Sequence, residues 1–306
     1  MRQFFRCDKG YVERETWEPD CLITVERPDS SDFEFLTREV GVPEDFLTDS
    51  ADPDERPRIE TDGSWTLTII RIPIATPDAG IPYMTVPVGV ITGEGVIVTV
   101  CYHKNEIMSD FIAGTRRKSI GVPTRPDFIL RLIASSAYWF LHYLKQIQNQ
   151  VTDNEKALEK SVRNEDLLEM MRLEKALVYF NTSLRGNEML IIRLKRAFSD
   201  AVDLDLLEDV EIEMKQALNT VNVYTDILTA AMDAFASIIS NNVNAVMKRM
   251  TGVTIVLMIP TLIASFYGMN VHISLSSNPM AFVIIIGIAA VLTLLTVAIL
   301  ARMRWF

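Results

Sequence analysis

Apolar residues dominate the C-terminal end of the chain. Between Arg249 and Arg302 the sequence contains no Asp, Glu, Lys or Arg. A stretch of this length accommodates two membrane crossings of ~20 residues each with a short turn between them. The pattern therefore predicts a membrane-embedded first helix at about 249–268, an external loop at 269–279, a second transmembrane helix at 280–301 and a short tail at 302–306.

The N-terminal part of the chain has short β-branched and alternating runs, which predict a cytosolic α/β domain over residues 1–124. Strands are predicted at 21–25, 65–73, 83–91 and 95–102. Short helices are predicted at 33–40, with Asp32 as the cap, and at 41–47 and 106–114. The residues before Cys21 are predicted to be irregular, and 52–60 to be a turn-rich connector that leads into the sheet.

Apolar spacings of three and four residues begin at Arg125 and predict cytosolic antiparallel helices over 125–203. Within that range we predict three helices, at 128–151, 154–180 and 183–198. From Leu204 onward the chain has no Gly before Gly252 and no Pro before Pro260, which predicts one continuous stalk and pore helix over 204–268. A helix of ~60 residues would be ~90 Å long, so its first part must extend into the cytosol.

A polar seam runs along this predicted helix. Alternating steps of three and four residues from Gln216 give a period of 3.5, the spacing that faces a supercoil axis. The positions on it are mostly small or polar, and we call them the seam: Gln216, Asn219, Val223, Asp226, Ala230, Asp233, Ser237, Ser240, Asn244, Met247, Thr251, Thr254, Met258, Thr261 and Ser265. Repeated around a ring of identical helices, such a seam would line an aqueous path.

Two interpretations of the seam stay open at this stage. Thr and Ser can bond back to carbonyls of their own helix, and small residues favour tight helix packing without a pore. Met247 and Met258 are predicted to be apolar constrictions that gate by dewetting, although Met also serves as ordinary packing. Polar groups in hydrocarbon normally face a partner or a water-filled cavity, which favours the pore.

Flanking charges predict the orientation of the two spans. Lys248 and Arg249 precede the first span, and Arg302 and Arg304 follow the second. Under the positive-inside tendency, both termini are then cytoplasmic, in a multi-pass protein of the inner or plasma membrane surrounded by lipid.

Composition excludes several other classes of function. A formal net charge of −10 disfavours nucleic acid as a partner, because phosphate contacts need a basic surface. The three cysteines form no C-x-x-C pair, and the three histidines lie far apart in sequence. No phosphate-binding loop motif occurs, which argues against ATP-driven transport. We therefore predict neither an enzyme nor an organic cofactor.

The motif Tyr267-Gly268-Met269-Asn270 stands at the end of the first apolar span. In that position, after a stalk free of Gly and Pro and before a second span, it resembles the signature of the CorA family of divalent-cation channels. Arg56-Pro57-Arg58-Ile59-Glu60 and Gly41-Val42-Pro43 are similar to further segments of that family. The resemblance covers essentially the whole chain.

This resemblance implies a homopentameric funnel, with α/β domains that sense intracellular Mg²⁺ and five long helices that line the pore. Asn270 and the Gly268 carbonyl would hold a hydrated cation at the outer selectivity ring, within the filter motif that begins at Tyr267 and includes Met269. It implies Mg²⁺ as both the transported and the regulatory ion, with Co²⁺ or Ni²⁺ as further cargo. Family pore positions fall on Asn244, Met247, Met250, Met258 and Thr261, and regulatory stalk acids on Asp209, Asp226 and Asp233, with Asp78 aligned through a loop as the partner acid.

The external loop departs from the family pattern, because 271–279 contains no acidic residue where many members carry one. That leaves a zinc transporter of the same superfamily as an alternative function. His272 is the one potential transition-metal ligand in this loop. An alternative of a different class is a non-conducting membrane sensor or scaffold. Glu208, Glu211 and Glu213 are interpreted as a solvated helix face.

Overall fold

A computed structural model describes residues 2–77, 80–93, 95–122, 124–160, 164–198, 202–269 and 279–303. The chain divides into two compact units, Met1–Met232 and Asp233–Phe306. In chain order the elements of the described ranges are β1 (Arg2–Cys7), β2 (Tyr11–Arg14), β3 (Cys21–Glu26), α1 (Ser30–Phe35) followed by a π-helical turn (Leu36–Val40), α2 (Glu44–Ala51), β4 (Arg58–Asp62), β5 (Trp65–Ala75), β6 (Tyr83–Gly93), β7 (Val96–Cys101), α3 (Ile107–Arg117), α4 (Arg125–Lys160), α5 (Asn164–Ala197), α6 (Leu204–Tyr267) and α7 (Ala281–Arg302).

A mixed seven-stranded sheet forms the centre of the first unit, in the order β2-β1-β3-β7-β6-β5-β4. Strand β3 pairs with β7 in parallel, and the neighbouring pairs are antiparallel. The parallel pair joins two parts of the sheet that are distant in sequence. Its long connection carries α1, α2 and β4 to β6, as a parallel pair requires a crossover rather than a tight turn.

Both faces of the sheet are covered by helices, which explains why its central strands are apolar almost throughout. On one face, Ile23, Val98 and Ile69 form a core with Phe46 and Leu47 of α2. On the other face lie α3, α4 and α5. There Phe180 of α5 packs edge-on against Phe140 of α4, with ring centroids 5.1 Å apart.

Polar groups attach α5 to strand β5 just beyond the end of its pairing with β4. Arg58, the first residue of β4, lies opposite Ile69, so the β5 residue Arg71 has no partner on that side. The Asn187 side chain takes the partner's place: its Oδ1 accepts from the Arg71 N–H (3.0 Å) and its Nδ2 donates to the Arg71 carbonyl (2.7 Å). Asn187 is completely buried, and buried backbone groups need such partners.

A glycine permits this close approach. A Cβ on Gly186 would lie 2.8 Å from the ring of Pro57, closer than carbon atoms pack. Pro57 in turn precedes β4 and cannot donate to the ladder. The Gly186-Asn187 pair in the middle of a long helix is therefore explained by its contact with the sheet.

The structure corrects several predicted element boundaries in the N-terminal part. Strands β1, β2 and β4 occupy residues that were predicted to be irregular or a connector. Asp29, not Asp32, caps α1: its carboxylate accepts from the N–H groups of Ser31 and Asp32, both at 2.9 Å. Asp32 completes a capping box by accepting from the Asp29 N–H.

The predicted helix at 154–180 is divided in the structure: its first residues belong to α4, which continues to Lys160, and its later residues form one helix, α5, with the predicted helix at 183–198. The predicted break between Phe180 and Ser183 was wrong because polar side chains there have partners within the fold. The hydroxyl of the buried Ser183 is hydrogen-bonded to the Thr85 hydroxyl at 2.7 Å, and Thr182 donates back to the Val178 carbonyl. The buried spacing of three and four residues runs through them without interruption.

Helix α6 spans 64 residues, as one continuous helix was predicted, and α7 follows the motif segment. Among the described helices, α6 and α7 are the two that are long and apolar enough to cross a membrane. The second unit consists of the C-terminal part of α6 together with α7. The α/β fold, the long helix and the two apolar C-terminal helices are thus confirmed.

Asn187→Leu should lower the free energy of unfolding by about 2–4 kcal/mol, because two buried backbone groups of Arg71 lose their partners. The thermal unfolding midpoint of the full-length protein in detergent measures this loss. Asn149→Leu, the same change at an exposed position on α4, is the matched control. An equal and small shift in both variants would contradict the bridging role of Asn187.

Candidate functional site

The seam is exposed along the part of α6 that belongs to the second unit. Every seam position from Asp233 to Ser265 is classed as exposed in the single chain. Apolar side chains on a membrane helix can face lipid, but polar ones require a polar partner or water. The exposed seam is therefore a surface that the described residues of the second unit do not cover.

Helix α7 packs on another side of α6. An apolar groove between the two helices is lined by Pro260, Ile263 and Ala264 of α6, and by Ala289 and Thr293 of α7 among others. Small residues at such contacts let helices approach closely. At about 100° per residue, the α6 positions that line this groove project roughly opposite to the seam.

Two seam threonines bond back to carbonyls of their own helix and also present a polar oxygen on the exposed side. Thr254 donates its hydroxyl to the Met250 carbonyl and Thr261 to the Leu257 carbonyl, each at 2.9 Å. The hydroxyl proton is thereby used within the helix. Each oxygen keeps acceptor capacity for a water or another donor on the exposed side.

The predicted constrictions are exposed as well. Met247, Met250 and Met258 have 61%, 68% and 64% of their surface accessible, and Asn244 is exposed. Within the described part of one chain, the three methionines are therefore not packing residues. Their role as gates stays a prediction, as does that of Thr251 and the other pore positions.

The motif lies at the end of α6. Tyr267 is the last helical residue, and the Gly268 N–H donates to the Ala264 carbonyl at 2.9 Å. Met269 follows and is exposed. Asn270 and the loop through residue 278, with His272, lie outside the described residues, so their predicted roles are untested.

Stalk acids in the first unit lie on the exposed side of α6. Asp209 and Asp226 are exposed, whereas the opposite side of the helix is buried at regular intervals, at Leu207, Val210, Met214, Ala217 and Val221. Asp233 is exposed and belongs to the second unit. Asp78, the predicted partner acid, is outside the described ranges.

Glu213 is exposed, as a solvated helix face predicts, but the pKa of its carboxyl is shifted. Its side chain keeps an exposed surface, but its carboxyl is partly desolvated, and this desolvation raises its pKa. The charge of Asp209, one helical turn away, raises the pKa further, and Lys118 after α3 opposes both effects. The signal was present in the sequence as carboxylates at positions i and i+4, which repel each other on a helix. The desolvation depends on tertiary packing and could not be predicted from the helix pattern.

The pair Asp209 and Glu213 fits the chemistry of a hard divalent cation. Mg²⁺ takes oxygen ligands and usually retains several waters, so one or two carboxylates suffice from the protein. Within the described residues of one chain, no group of three or more His, Cys, Asp or Glu lies together at metal-binding distance. A cation site with more protein ligands would need groups in addition to Asp209 and Glu213.

Comparison with known proteins identifies the family. The family model described as "CorA-like Mg²⁺ transporter protein" matches residues 21–302 of this chain. The cobalt/magnesium transport protein CorA of Methanocaldococcus jannaschii is 25% identical over 303 residues, which cover 96% of this chain and 94% of that protein.

Solved structures agree with this match. The complete structure of the CorA magnesium transporter from M. jannaschii superimposes with a TM-score of 0.85 at 22% identity, covering 100% of this chain and 99% of the other. The ZntB cytoplasmic domain from Vibrio parahaemolyticus has a TM-score of 0.60 at 13% identity, over 79% of this chain and 97% of that domain. At these identities the structures establish the shared fold. The chain belongs to the family of CorA-like Mg²⁺ transporters, as the family match over most of its length shows.

Proposed function

We propose that this member of the CorA family is a homopentameric channel that carries Mg²⁺ across the membrane down its electrochemical gradient. Co²⁺ and Ni²⁺ are further cargo of the same path. The channel closes when cytosolic Mg²⁺ binds acidic side chains between neighbouring subunits. The gradient of the ion supplies the driving force, and the five copies of α6 supply the path.

One observation carries this function: α6 exposes a polar seam on a side that α7 does not cover. A polar side chain left in hydrocarbon costs several kcal/mol. Five copies of α6 around an axis would turn their seams towards one another and towards water. This arrangement satisfies all the seam side chains at once, and α7 then separates α6 from lipid.

The seam chemistry suits an ion that keeps its waters. Mg²⁺ dehydrates reluctantly, so a pore for it must accept hydrogen bonds from bound waters rather than replace them. Thr254 and Thr261 have used their protons within the helix and present acceptor oxygens. Asn270, in the motif, provides a further amide oxygen at the outer end in this proposal.

The stalk acids provide the closing signal. The repulsion between Asp209 and the partly desolvated Glu213 is relieved when a divalent cation binds near them. In the proposed pentamer, a neighbouring subunit adds further oxygen ligands to those of Asp209 and Glu213. Cation binding would then hold neighbouring subunits together in the closed state.

Both termini are cytoplasmic in this proposal. The stretch from Met250 to Ala301 is free of Asp, Glu, Lys and Arg, and basic residues flank it on both sides. An even number of crossings returns the chain to the side on which it began, and the positive flanks assign that side to the cytosol.

Thr261→Val should lower the rate of Mg²⁺ uptake into proteoliposomes by about tenfold, because loss of the polar seam contacts raises the barrier to the hydrated ion by about 1–2 kcal/mol in all. Thr293→Val in α7 is the matched control. Its hydroxyl also bonds back to its own helix, but it lines the α6–α7 groove. Equal uptake by the two variants would exclude the seam as the ion path.

Asn270→Ala should reduce Mg²⁺ uptake by more than about a hundredfold, since five amides that each contribute about 1 kcal/mol are lost together. Uptake into liposomes is again the measurement, with protein amount and oligomeric state checked by native mass spectrometry. Unchanged uptake would reject the channel mechanism.

Asp209→Asn should leave uptake at low internal Mg²⁺ unaltered but raise the internal Mg²⁺ concentration that halves uptake by about fivefold, since one charge contact of about 1 kcal/mol is lost. The measurement is uptake into liposomes loaded with increasing Mg²⁺. Glu208→Gln, the adjacent exposed acid, serves as the control. The sensing role fails if both variants keep the wild-type concentration dependence.

Zinc is a second candidate cargo, favoured by the acid-free segment between Asn270 and Met280. Without carboxylates at the outer mouth, the concentration of Mg²⁺ there is not raised electrostatically. Uptake of Mg²⁺, Co²⁺, Ni²⁺ and Zn²⁺ in competition, at low and high internal Mg²⁺, decides between the two. Absence of uptake for every cation would instead indicate a non-conducting sensor or scaffold.

A further inference from the structure

A cavity of about 640 Å³ lies in the first unit, between α3 and the sheet. Strands β1, β3 and β7 contribute its floor, α3 its roof, and Leu132 of α4 part of its inner wall. Its volume is within the range of pockets for drug-sized ligands. None of the pore positions and none of the stalk acids line it.

The lining changes from apolar to charged towards the opening. The buried side chains Ile72, Val88 and Leu132 lie at the inner end, below the middle of the sheet. The exposed residues Glu13 and Arg116 lie at the opening, on β2 and at the end of α3. A ligand that fits this gradient has an apolar body and a charged end.

Two hydroxyls inside the cavity lack partners. Thr24 of β3 and Thr99 of β7 lie directly opposite each other in the parallel ladder and are 6% and 3% exposed. Neither side chain forms a hydrogen bond in the part of the chain that the structure describes. Both hydroxyls line the cavity and can each pair with a polar group of a bound molecule.

Most ionisable groups around the cavity are neutral or engaged. Burial raises the pKa of Tyr11 and of Cys101, the latter to about 11, so both stay neutral at physiological pH. Glu13 accepts a hydrogen bond from the Gln3 amide, and Glu26 accepts one from the Asn105 N–H.

The arginines at the opening differ in their contacts. Arg117 lies 3.9 Å from the carboxylate of Asp110. The guanidinium of Arg116 has no hydrogen bond or ion pair within the described ranges, which makes it the available cation. The lining thus offers the guanidinium of Arg116 together with the carboxylates of Glu13 and Glu26. This combination suits a ligand with one carboxylate better than a polyphosphate, which the two acids would repel.

We propose that this cavity binds a small organic acid with an apolar body. Its carboxylate pairs with Arg116, a hydroxyl or keto oxygen bonds Thr24 and Thr99, and its apolar body extends towards Val88 and Leu132. The site lies outside the proposed pore, because its residues belong to the sheet and the helices packed on it. It gives the cytosolic unit a second class of ligand besides divalent cations.

The test uses para-fluorophenyllactate, which has a carboxylate, a hydroxyl and an aromatic body. Its ¹⁹F line broadening is titrated with the full-length protein in detergent, against empty micelles. The wild-type protein should broaden the line in a saturable way. Arg116→Gln should weaken binding about tenfold, through the lost charge-assisted pair, and Thr99→Val about fivefold.

Matched controls separate the cavity from general effects. Arg38→Gln removes an exposed arginine on the other side of the sheet, and Thr68→Val removes a fully buried, unpaired hydroxyl on β5 that does not line the cavity. Both should bind the probe like the wild type. Para-fluorophenylethanol, which lacks the carboxylate, should bind at least tenfold more weakly than the acid.

Two results would overturn the proposal. Broadening no greater than with empty micelles would mean that the cavity holds only water. Equal affinity in Arg116→Gln, Thr99→Val and their controls would mean that the probe binds elsewhere. Thr99→Val retains the β-branched shape of the side chain, so loss of folding does not confuse the outcome.

Discussion

The cost of exposing a polar group to hydrocarbon is the constraint on which the membrane part of this protein depends. In the predicted membrane part of α6, the polar seam side chains are hydroxyls, at Thr251, Thr254, Thr261 and Ser265, which the helix alone cannot fully pair. The hydroxyls of Thr254 and Thr261 donate to the carbonyls of Met250 and Leu257, which reduces this cost because the donor half of each hydroxyl is paired. The remaining acceptor capacity needs water, and that need is what favours a shared aqueous axis in the proposed channel.

In the first unit, polar groups are likewise paired, but by other groups of the fold. Where β4 ends, the sheet would leave the backbone of Arg71 unpaired, and Asn187 supplies the missing partner. The guanidinium of Arg71 then donates to the carbonyls of Pro53 and Glu55, which secures the connector before β4. One strand residue thus links α5, the sheet edge and a loop.

Periodicity was sufficient to predict the parts of the fold that repeat. The continuous helix α6, its exposed seam and the apolar helix α7 follow from spacing and from the absence of charge, Gly and Pro, all of which are local properties. Strands β1 and β2 were missed because residues 2–14 carry many charges, and an edge ribbon can be half solvated. Strand β1 depends on pairing with β3, a contact that no short pattern contains, and β2 depends in turn on pairing with β1.

The misplaced break in α5 and the unpredicted pKa shift of Glu213 have a common physical origin. The polar residues Asn181 and Thr182 resemble a break between helices, and Glu213 resembles a fully solvated acid, because polarity normally indicates exposure. In the structure, Ser183 finds Thr85, and the carboxyl of Glu213 is drawn partly out of water near Asp209 and Lys118. Tertiary packing decides how far a polar group is solvated, so these two positions carry information that only the fold reveals.

The raised pKa of Glu213 links the acid pair to the proposed sensing of cations. A carboxyl whose pKa is higher in the folded state than in the unfolded chain destabilises the fold as pH rises through that pKa and it ionises. Once ionised, Glu213 stands beside the charge of Asp209, so the folded unit retains repulsion that either a proton or a divalent cation would remove. A cation that bridges the pair therefore gains from the relief of this repulsion as well as from its own ligands. The i, i+4 spacing on α6 keeps the two acids close, and the surrounding packing adds the partial desolvation of Glu213.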